Sequence, residues 1–174
     1  CGRSFGKPLK ELEDIRPALT HFVQNAVTRL WKYKQATSAI TVYLSTNHFR
    51  KNITQRSVSA SVELEITNNL MQLNAAAQRA LEQIFESGFE YHKVGVLLHD
   101  FISVKNIPAT LFETETSIQA SQQLMGAVKK INQKFGRYTV ASASVSGSSD
   151  WRARSKSRSP AFTTCWNELP LVRA

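Results

Sequence analysis

With 174 residues, the chain can form one ordinary domain, or a domain of about 100 residues with an appendage. An apolar fraction of 42% excludes global disorder, and no apolar run approaches the ~20 residues that a membrane span needs. The net charge of +9 favours an anionic partner such as nucleic acid, although a charge that serves solubility alone is the alternative.

The two cysteines, Cys1 and Cys165, have neither metal-ligand spacing nor the pattern of a disulfide framework. This favours a reducing compartment, and no signal peptide is visible. Because Cys1 leads directly into structured-looking sequence, we expect the chain to be part of a longer protein.

The first elements are a strand and a helix. Residues 1–6 predict a short strand that ends at Gly6, and Lys7 with Pro8 predicts a break. Asp14 is the predicted N-cap of a helix whose first turn contains Pro17, and apolar residues then recur at three and four residues up to Leu30.

A long hairpin follows between Ala39 and Ile66. Alternate residues of a strand point to opposite faces of the sheet, and both strands alternate apolar with polar side chains. The apolar face needs helices to cover it. The other face, here called the open face, is left to a partner; its predicted side chains are Thr41, Tyr43, Ser45, Ser57, Ser59, Ser61, Glu63 and Glu65.

A second helix is predicted from Leu70 to Ser87, with a cap at residues 67–69 and Gly88 at C′. A last strand is predicted from about Phe89 to Ser103, with Lys93 on the polar side. The order predicts an α+β fold: a split β-α-β-β-α-β sheet of four strands with both helices on one face.

The remaining chain has weaker patterns. Residues 104–117 form a predicted linker, and residues 118–135 form a helix with an apolar stripe of Leu124, Val128 and Ile131, ended by Gly136. A strand at residues 138–145, a flexible segment at 146–159 and an extended tail that docks on a partner complete the prediction.

No catalytic or metal site is predicted in the chain. The four histidines lack zinc spacing, and Glu63 with Glu65 is better explained as solvated surface than as a cation site. The serines of the hairpin lack a nearby base that would activate a nucleophile.

The open face instead suggests contacts with phosphate, because hydroxyls, strand amides and cations are the common donors to nucleic-acid backbones. Tyr43 is the one clear aromatic there, so stacking on unpaired bases, as in RNA-recognition sheets, is a weaker alternative. A merely solvated face is the other. The sequence places a basic rim around the face: Arg3, Lys7, Arg50, Lys51, Arg56 and Lys93.

Three segments carry a family resemblance: SFG at Ser4–Gly6, YHKVGVLLHDF at Tyr91–Phe101, and QLMGAVKKIN followed by SPAFTTCWNELPLV. The first two resemble the little-finger domain of Y-family translesion DNA polymerases, and the last resembles the C-terminal region of the UmuC branch. The resemblance covers nearly all of the chain.

The resemblance implies the C-terminal part of an error-prone polymerase of the bacterial cytoplasm that acts in SOS repair of DNA damage. Residues 1–103 would be the little finger, which lies along the primer–template duplex, and residues 118–174 would engage a UmuD′-like subunit and the RecA filament. The catalytic palm with its Mg²⁺ would precede Cys1. The implied and inferred DNA-binding residues together are Arg3, Ser4, Phe5, Gly6, Lys7, Arg50, Lys51, Arg56, Ser57, Ser59, Ser61 and Lys93.

UmuC proteins carry a clamp-binding pentapeptide that begins with Gln and ends with Leu-Phe. The equivalent stretch here is PATLF at residues 108–112, which keeps Leu111 and Phe112 but lacks the Gln and the first Leu. Binding of the sliding clamp through these two side chains and a plain linker therefore both stay open.

A hypothesis of another class makes the chain chiefly a protein-interaction module with incidental DNA binding. Truncation after Ser103 distinguishes the two, because DNA binding should survive it and partner binding should not.

Overall fold

A computed structural model describes residues 1–49, 54–107, 115–136, 138–143, 151, 159–161 and 163–169. Two short 3₁₀ turns, Val104–Asn106 and Trp166–Glu168, accompany the main elements. The main elements are β1 (Gly2–Leu9), α1 (Leu12–Tyr33), β2 (Gln35–Thr46), β3 (Ser57–Thr67), α2 (Leu70–Ile84), β4 (Tyr91–Ser103) and α3 (Glu115–Phe135).

The four strands form one sheet in the order β1-β4-β2-β3, and every neighbouring pair is antiparallel. The β1–α1–β2 crossover passes over β4, and the β3–α2–β4 crossover passes over β2. The two strands of each β-α-β unit are thus separated by one strand of the other unit, which is the predicted split arrangement. The α+β fold class is confirmed.

One face of the sheet forms the core with α1 and α2. Ile40, Val42 and Leu44 of β2 are fully buried, and so are Val94 and Val96 of β4. The apolar residues of the edge strand β3 are half-buried and pack against the same core. The alternation therefore predicts correctly which face the helices cover.

Helix α1 begins two residues before the predicted cap. Glu11 is the N-cap, and the amide of Asp14 already donates to the Glu11 carbonyl at 3.2 Å. The prediction of Asp14 as N-cap is wrong; Glu13 and Asp14 instead lie in the first turn, where carboxylates favour the positive end of the helix dipole. Pro17 consequently lies inside the helix rather than in its first turn.

Strand β1 continues through the predicted break and ends at Leu9. The register shifts between Ser4 and Leu9, so the strand bulges there, and it is an edge strand. Proline is tolerated in a strand under those two conditions, which is why Pro8 does not end it.

Asn69 caps α2 as predicted, because its side chain accepts the amide of Met71 at 2.8 Å. The helix ends at Ile84, three residues before the predicted end. Gly88 has a positive φ of 92° but lies in the loop after the helix, so the prediction of a C′ glycine is wrong. Strand β4 then begins at Tyr91 rather than Phe89.

The end of α3 at Gly136 is confirmed, with a φ of 109° there. The predicted stripe is wrong in two of its three members, because Leu124 is 53% exposed and Ile131 is also exposed. Met125 is buried instead, and Val128 packs against the core beside it. The helix is therefore rotated about its axis relative to the prediction. An apolar stripe at i, i+4 and i+7 does not show which side of the helix packs against the rest of the protein.

The strand predicted at residues 138–145 is absent from its described part, 138–143. The Asn132 side chain accepts the amide of Val140 at 2.8 Å and donates to its carbonyl at 2.9 Å. These bonds occupy the backbone groups that a ladder would have used.

Most of the predicted flexible segment, 146–159, lies outside the described residues. Trp151 is an exception, since it is only 6% exposed and contacts Phe22 and His21 of α1, with ring centroids 5.7 and 5.1 Å apart. In the described part of the tail, Trp166 is 87% exposed.

Candidate nucleic-acid interface

The open face consists of rows that cross the four strands, because residues paired in an antiparallel sheet point to the same side. One row is Ser4, Lys93, Ser45 and Ser57, and the next is Gly2, Gly95, Tyr43 and Ser59. Leu97, Thr41 and Ser61 form a third row across β4, β2 and β3. The face is therefore a hydroxyl-rich surface, with small side chains on both edge strands of the sheet, β1 and β3.

Tyr43 lies flat at the centre of this face, over two glycines. A Cβ atom added to either Gly2 or Gly95 would overlap the Tyr43 phenol group, so glycine at these positions makes room for the ring. Partial burial raises the pKa of the Tyr43 hydroxyl above its usual value. The Lys93 ammonium lies 5.5 Å from the ring centroid, in a cation–π position.

A chain of hydrogen bonds joins the third row to His99, which lies in the next row opposite Ala39. Thr41 Oγ1 lies 2.7 Å from Ser61 Oγ and 2.8 Å from His99 Nε2. The sequence predicts no base near these hydroxyls, and the structure differs, because β4 brings His99 to Thr41. The imidazole contacts the Thr41 hydroxyl directly and reaches Ser61 only through Thr41, so these contacts fix the positions of the two hydroxyls.

The charge of the open face changes along the strands. Lys93 lies toward the β2–β3 turn, whereas Glu63 and Glu65 lie toward the opposite end of β3 and are exposed. An anionic backbone is therefore favoured at the turn end and repelled at the other.

Five of the predicted DNA-binding residues lie on or at this face as expected: Ser4, Ser57, Ser59, Ser61 and Lys93. All five are exposed. Gly6 and Lys7 are also exposed, in the bulged part of β1.

Arg3 and Phe5 lie on the other side of the sheet. Arg3 pairs with the buried Val94, so its side chain leaves the strand on the helix side, and Phe5 is 3% exposed within the core. The prediction that Arg3 belongs to the rim of the open face is therefore wrong, and Phe5, a DNA contact implied only by the resemblance, lies in the core. The physical reason is the alternation of β1 itself, which puts residues 3 and 5 together and Ser4 opposite.

Arg56 is also held away from the open face. Its guanidinium forms a 2.7 Å ion pair with Glu86 and lies 5.0 Å from the Phe89 ring centroid, so it fastens the α2–β4 connection to the hairpin. Four further predicted residues lie outside the described part of the chain: Arg50, Lys51, Leu111 and Phe112.

Two surfaces of the protein are not predicted by the sequence. The first is a basic groove between α1, β1 and α3, which needs the docking of α3 to exist. The second is the exposed side of α3, which carries Leu124, Ile131 and Phe135. The amphipathic pattern of α3 signals an apolar face, but not whether that face is buried.

Within the described residues, no group of three or more His, Cys, Asp or Glu could hold a metal ion. The Mg²⁺ that the resemblance implies belongs to the palm of a longer protein and stays a prediction. None of the described helices is long and apolar enough to cross a membrane.

A family model described as the impB/mucB/samB family C-terminal domain matches residues 1–111. The chain belongs to the impB/mucB/samB family. A second model, described as Domain of unknown function (DUF4113), matches residues 122–172, so the region of α3 and the tail matches separately from the sheet domain.

Curated relatives of this family match along almost the whole chain. Protein UmuC of Salmonella typhimurium (strain LT2) is 29% identical over an alignment of 174 positions, which covers 99% of this chain and 41% of that protein. Protein MucB of Salmonella typhimurium is 31% identical over 171 residues, 98% of this chain and 40% of that protein. Protein MucB of Escherichia coli is 29% identical over 170 residues.

These similarities confirm the resemblance to UmuC proteins and place the chain in their translesion polymerase family. The chain spans about two fifths of the length of the impB/mucB/samB relatives that it matches. The domain boundaries at residues 103 and 117 stay predictions.

Proposed function

We propose that the open face holds the backbone of duplex DNA for an error-prone translesion polymerase. One observation carries the proposal: the open face presents a cation and several hydroxyl groups on a sheet surface that no described helix covers. The cation is Lys93, and the exposed hydroxyls are those of Ser4, Ser57, Ser59 and Ser61.

The chemistry of this surface suits phosphate rather than bases. Hydroxyl and ammonium groups donate to phosphate oxygens, and such contacts position a protein without reading sequence. The serine side chains are short, so a rigid helical backbone can approach closely along β3. Tyr43 supplies a single ring, too few for the stacked bases that RNA-recognition sheets hold.

The charges limit where the duplex lies. Glu63 and Glu65 repel phosphate at one end of β3, whereas Lys93 attracts it at the other. We therefore place the DNA track across the two rows next to the β2–β3 turn. Two further predicted contacts, Arg50 and Lys51, belong in the sequence to the segment between β2 and β3, outside the described residues.

The activity of the longer protein belongs to the same proposal. It comprises nucleotide addition opposite damaged bases by the longer protein, Mg²⁺ bound by a palm outside this chain, and a place in the bacterial cytoplasm, and membership of the family supports it. In this proposal the present chain binds the backbone of the primer–template duplex.

Replacing Lys93 by alanine tests the duplex site. Loss of one phosphate contact should weaken binding uniformly across sequences and reduce the log–log salt slope by about 0.9, as measured by fluorescence anisotropy over a salt series. Arg79→Ala is the matched control, because Arg79 is an exposed cation of α2 on the helix side. An equal loss in both variants, or no duplex binding by the parent chain at low salt, contradicts the proposal.

Recruitment of partners is the second candidate function, and the exposed side of α3 favours it. Leu124, Ile131 and Phe135 are apolar and exposed, and Ala127 lies between the first two, so a helix face of this kind fits an apolar groove of another protein. A UmuD′-like subunit and the RecA filament are the proposed partners. Clamp binding through Leu111 and Phe112 stays a prediction.

Leu124→Glu tests the α3 surface against its neighbour Gln123→Glu, which adds the same charge at an exposed position off the apolar side. Burying a carboxylate in an apolar interface should cost more than about 1 kcal/mol of binding free energy, so capture of the UmuD′-like subunit should fall only for Leu124→Glu. Unchanged capture by both variants argues against α3 as the docking surface.

A further inference from the structure

A group of the described Lys and Arg side chains surrounds one groove, whose lining meets the open face only at Gly2 and Ser4 of β1. A groove of about 1450 Å³ runs between the C-terminal half of α1, the start of β1 and α3. Its lining contains five basic side chains and, among the described residues, no Asp or Glu. The five are Arg3, Arg29, Lys32, Lys34 and Lys129.

Part of this charge has a local explanation. Lys129 Nζ donates to the carbonyl of Trp31 at 3.4 Å, and Lys32 and Lys34 lie at the end of α1, where cations offset the helix dipole. Arg3 and Arg29 have no such explanation. Neither forms an ion pair with a described carboxylate, so the groove keeps an uncompensated positive potential.

The walls of the groove are aromatic as well as basic. Tyr33 is 65% exposed, with the Lys32 ammonium 5.7 Å from its ring centroid, and Tyr138 stacks on His21 at 4.8 Å. Cations that follow a phosphate backbone, interleaved with rings on which bases stack, are the pattern of single-strand sites. The volume exceeds the roughly 300–1,000 Å³ of small-molecule sites, which fits an extended ligand.

We propose that this groove binds single-stranded nucleic acid, as a second site on the face opposite the duplex. A single strand is favoured over a duplex because only unpaired bases offer a free face to Tyr33, and because a convex double helix does not enter a groove. The two sites together would hold paired and unpaired DNA on opposite sides of one sheet.

Fluorescence anisotropy of the full chain with fluorescein-labelled oligothymidylate tests the site. Arg29→Glu/Lys32→Glu should lower the affinity for oligothymidylate by about tenfold or more and leave duplex affinity within about twofold. Lys10→Glu/Arg79→Glu makes the same change in net charge outside the groove and should have little effect. Lys93→Ala should retain oligothymidylate binding, which separates this site from the duplex site.

The Tyr33→Ala variant distinguishes stacking on the bases from contacts with the phosphates. It should reduce affinity for oligothymidylate by about tenfold, as loss of one stacked base does, and leave binding of inorganic polyphosphate unchanged. Equal losses for the two double variants, or equal losses of oligothymidylate and duplex in Arg29→Glu/Lys32→Glu, overturn the proposal. Competition by poly-glutamate as strong as by oligothymidylate overturns it too, since the groove would then serve an acidic protein segment.

Discussion

Replacing Gly95 by alanine is expected to destabilise the protein by about 1–3 kcal/mol, because the new methyl group displaces Tyr43 from the centre of the open face. The strand itself would gain from the change, since glycine in a strand is less stable than alanine by about 0.5–1 kcal/mol. The clash must therefore exceed that gain. Chemical denaturation measures the net result, and duplex binding should weaken as the displaced ring disturbs the rows beside Lys93.

A double-mutant cycle isolates the cause. In a Tyr43→Ala background no ring lies over Gly95, so Gly95→Ala should be neutral or stabilising, and the coupling energy between the two positions should exceed about 1 kcal/mol. Additive effects of the two substitutions would show that Tyr43 does not lie on Gly95.

Trp151→Ala should have a large effect on stability, the largest among single changes at the described residues after α3. Truncation of a buried tryptophan costs about 3–5 kcal/mol, and Trp151 packs against Phe22 and His21 of α1. Thermal and denaturant unfolding should both shift. The loss should be accompanied by faster proteolysis of the C-terminal part, because Trp151 ties it to α1.

Trp166→Ala is the matched control for that measurement. Trp166 is exposed, so its truncation should change the free energy of unfolding by less than about 0.5 kcal/mol. Similar shifts for both tryptophans would contradict burial of Trp151 against α1.

The fold follows from the sequence where each strand carries its own signal. Ile40, Val42 and Leu44 alternate with hydroxyl residues over a long hairpin, and this alone identifies the covered face. The same rule, applied to β1, also separates Arg3 and Phe5 from Ser4. A single rim that contains every nearby cation conflicts with that alternation. Arg56, one residue before Ser57, is misplaced for the same reason.

Other features depend on register between distant strands. The row of Gly2, Gly95 and Tyr43 joins three strands, and no local pattern predicts that two glycines meet one ring. A register shift between β2 and β4 next to His92 also turns Tyr91 into the core, where its hydroxyl bonds both backbone groups of Glu86 at 3.1 Å. Plain alternation from Lys93 would have left Tyr91 on the open face.

The helices show the same limit. An apolar stripe predicts that α3 exists, but its orientation is decided by Met125, Val128 and the bonds between Asn132 and Val140. The basic groove exists only once α3 has docked, so neither its charge nor its aromatic walls can be read from one segment.

The strand order has a consequence for how the chain folds. Among the described strands β4 is the last in the sequence, yet it lies between β1 and β2, and it is the only one of them that pairs with β1. The β2–β3 hairpin can form early, whereas β1 must wait until residue 103 has emerged from the ribosome. Insertion of β4 is therefore the closing step of the domain, and because it joins segments far apart in sequence, it should set the folding rate.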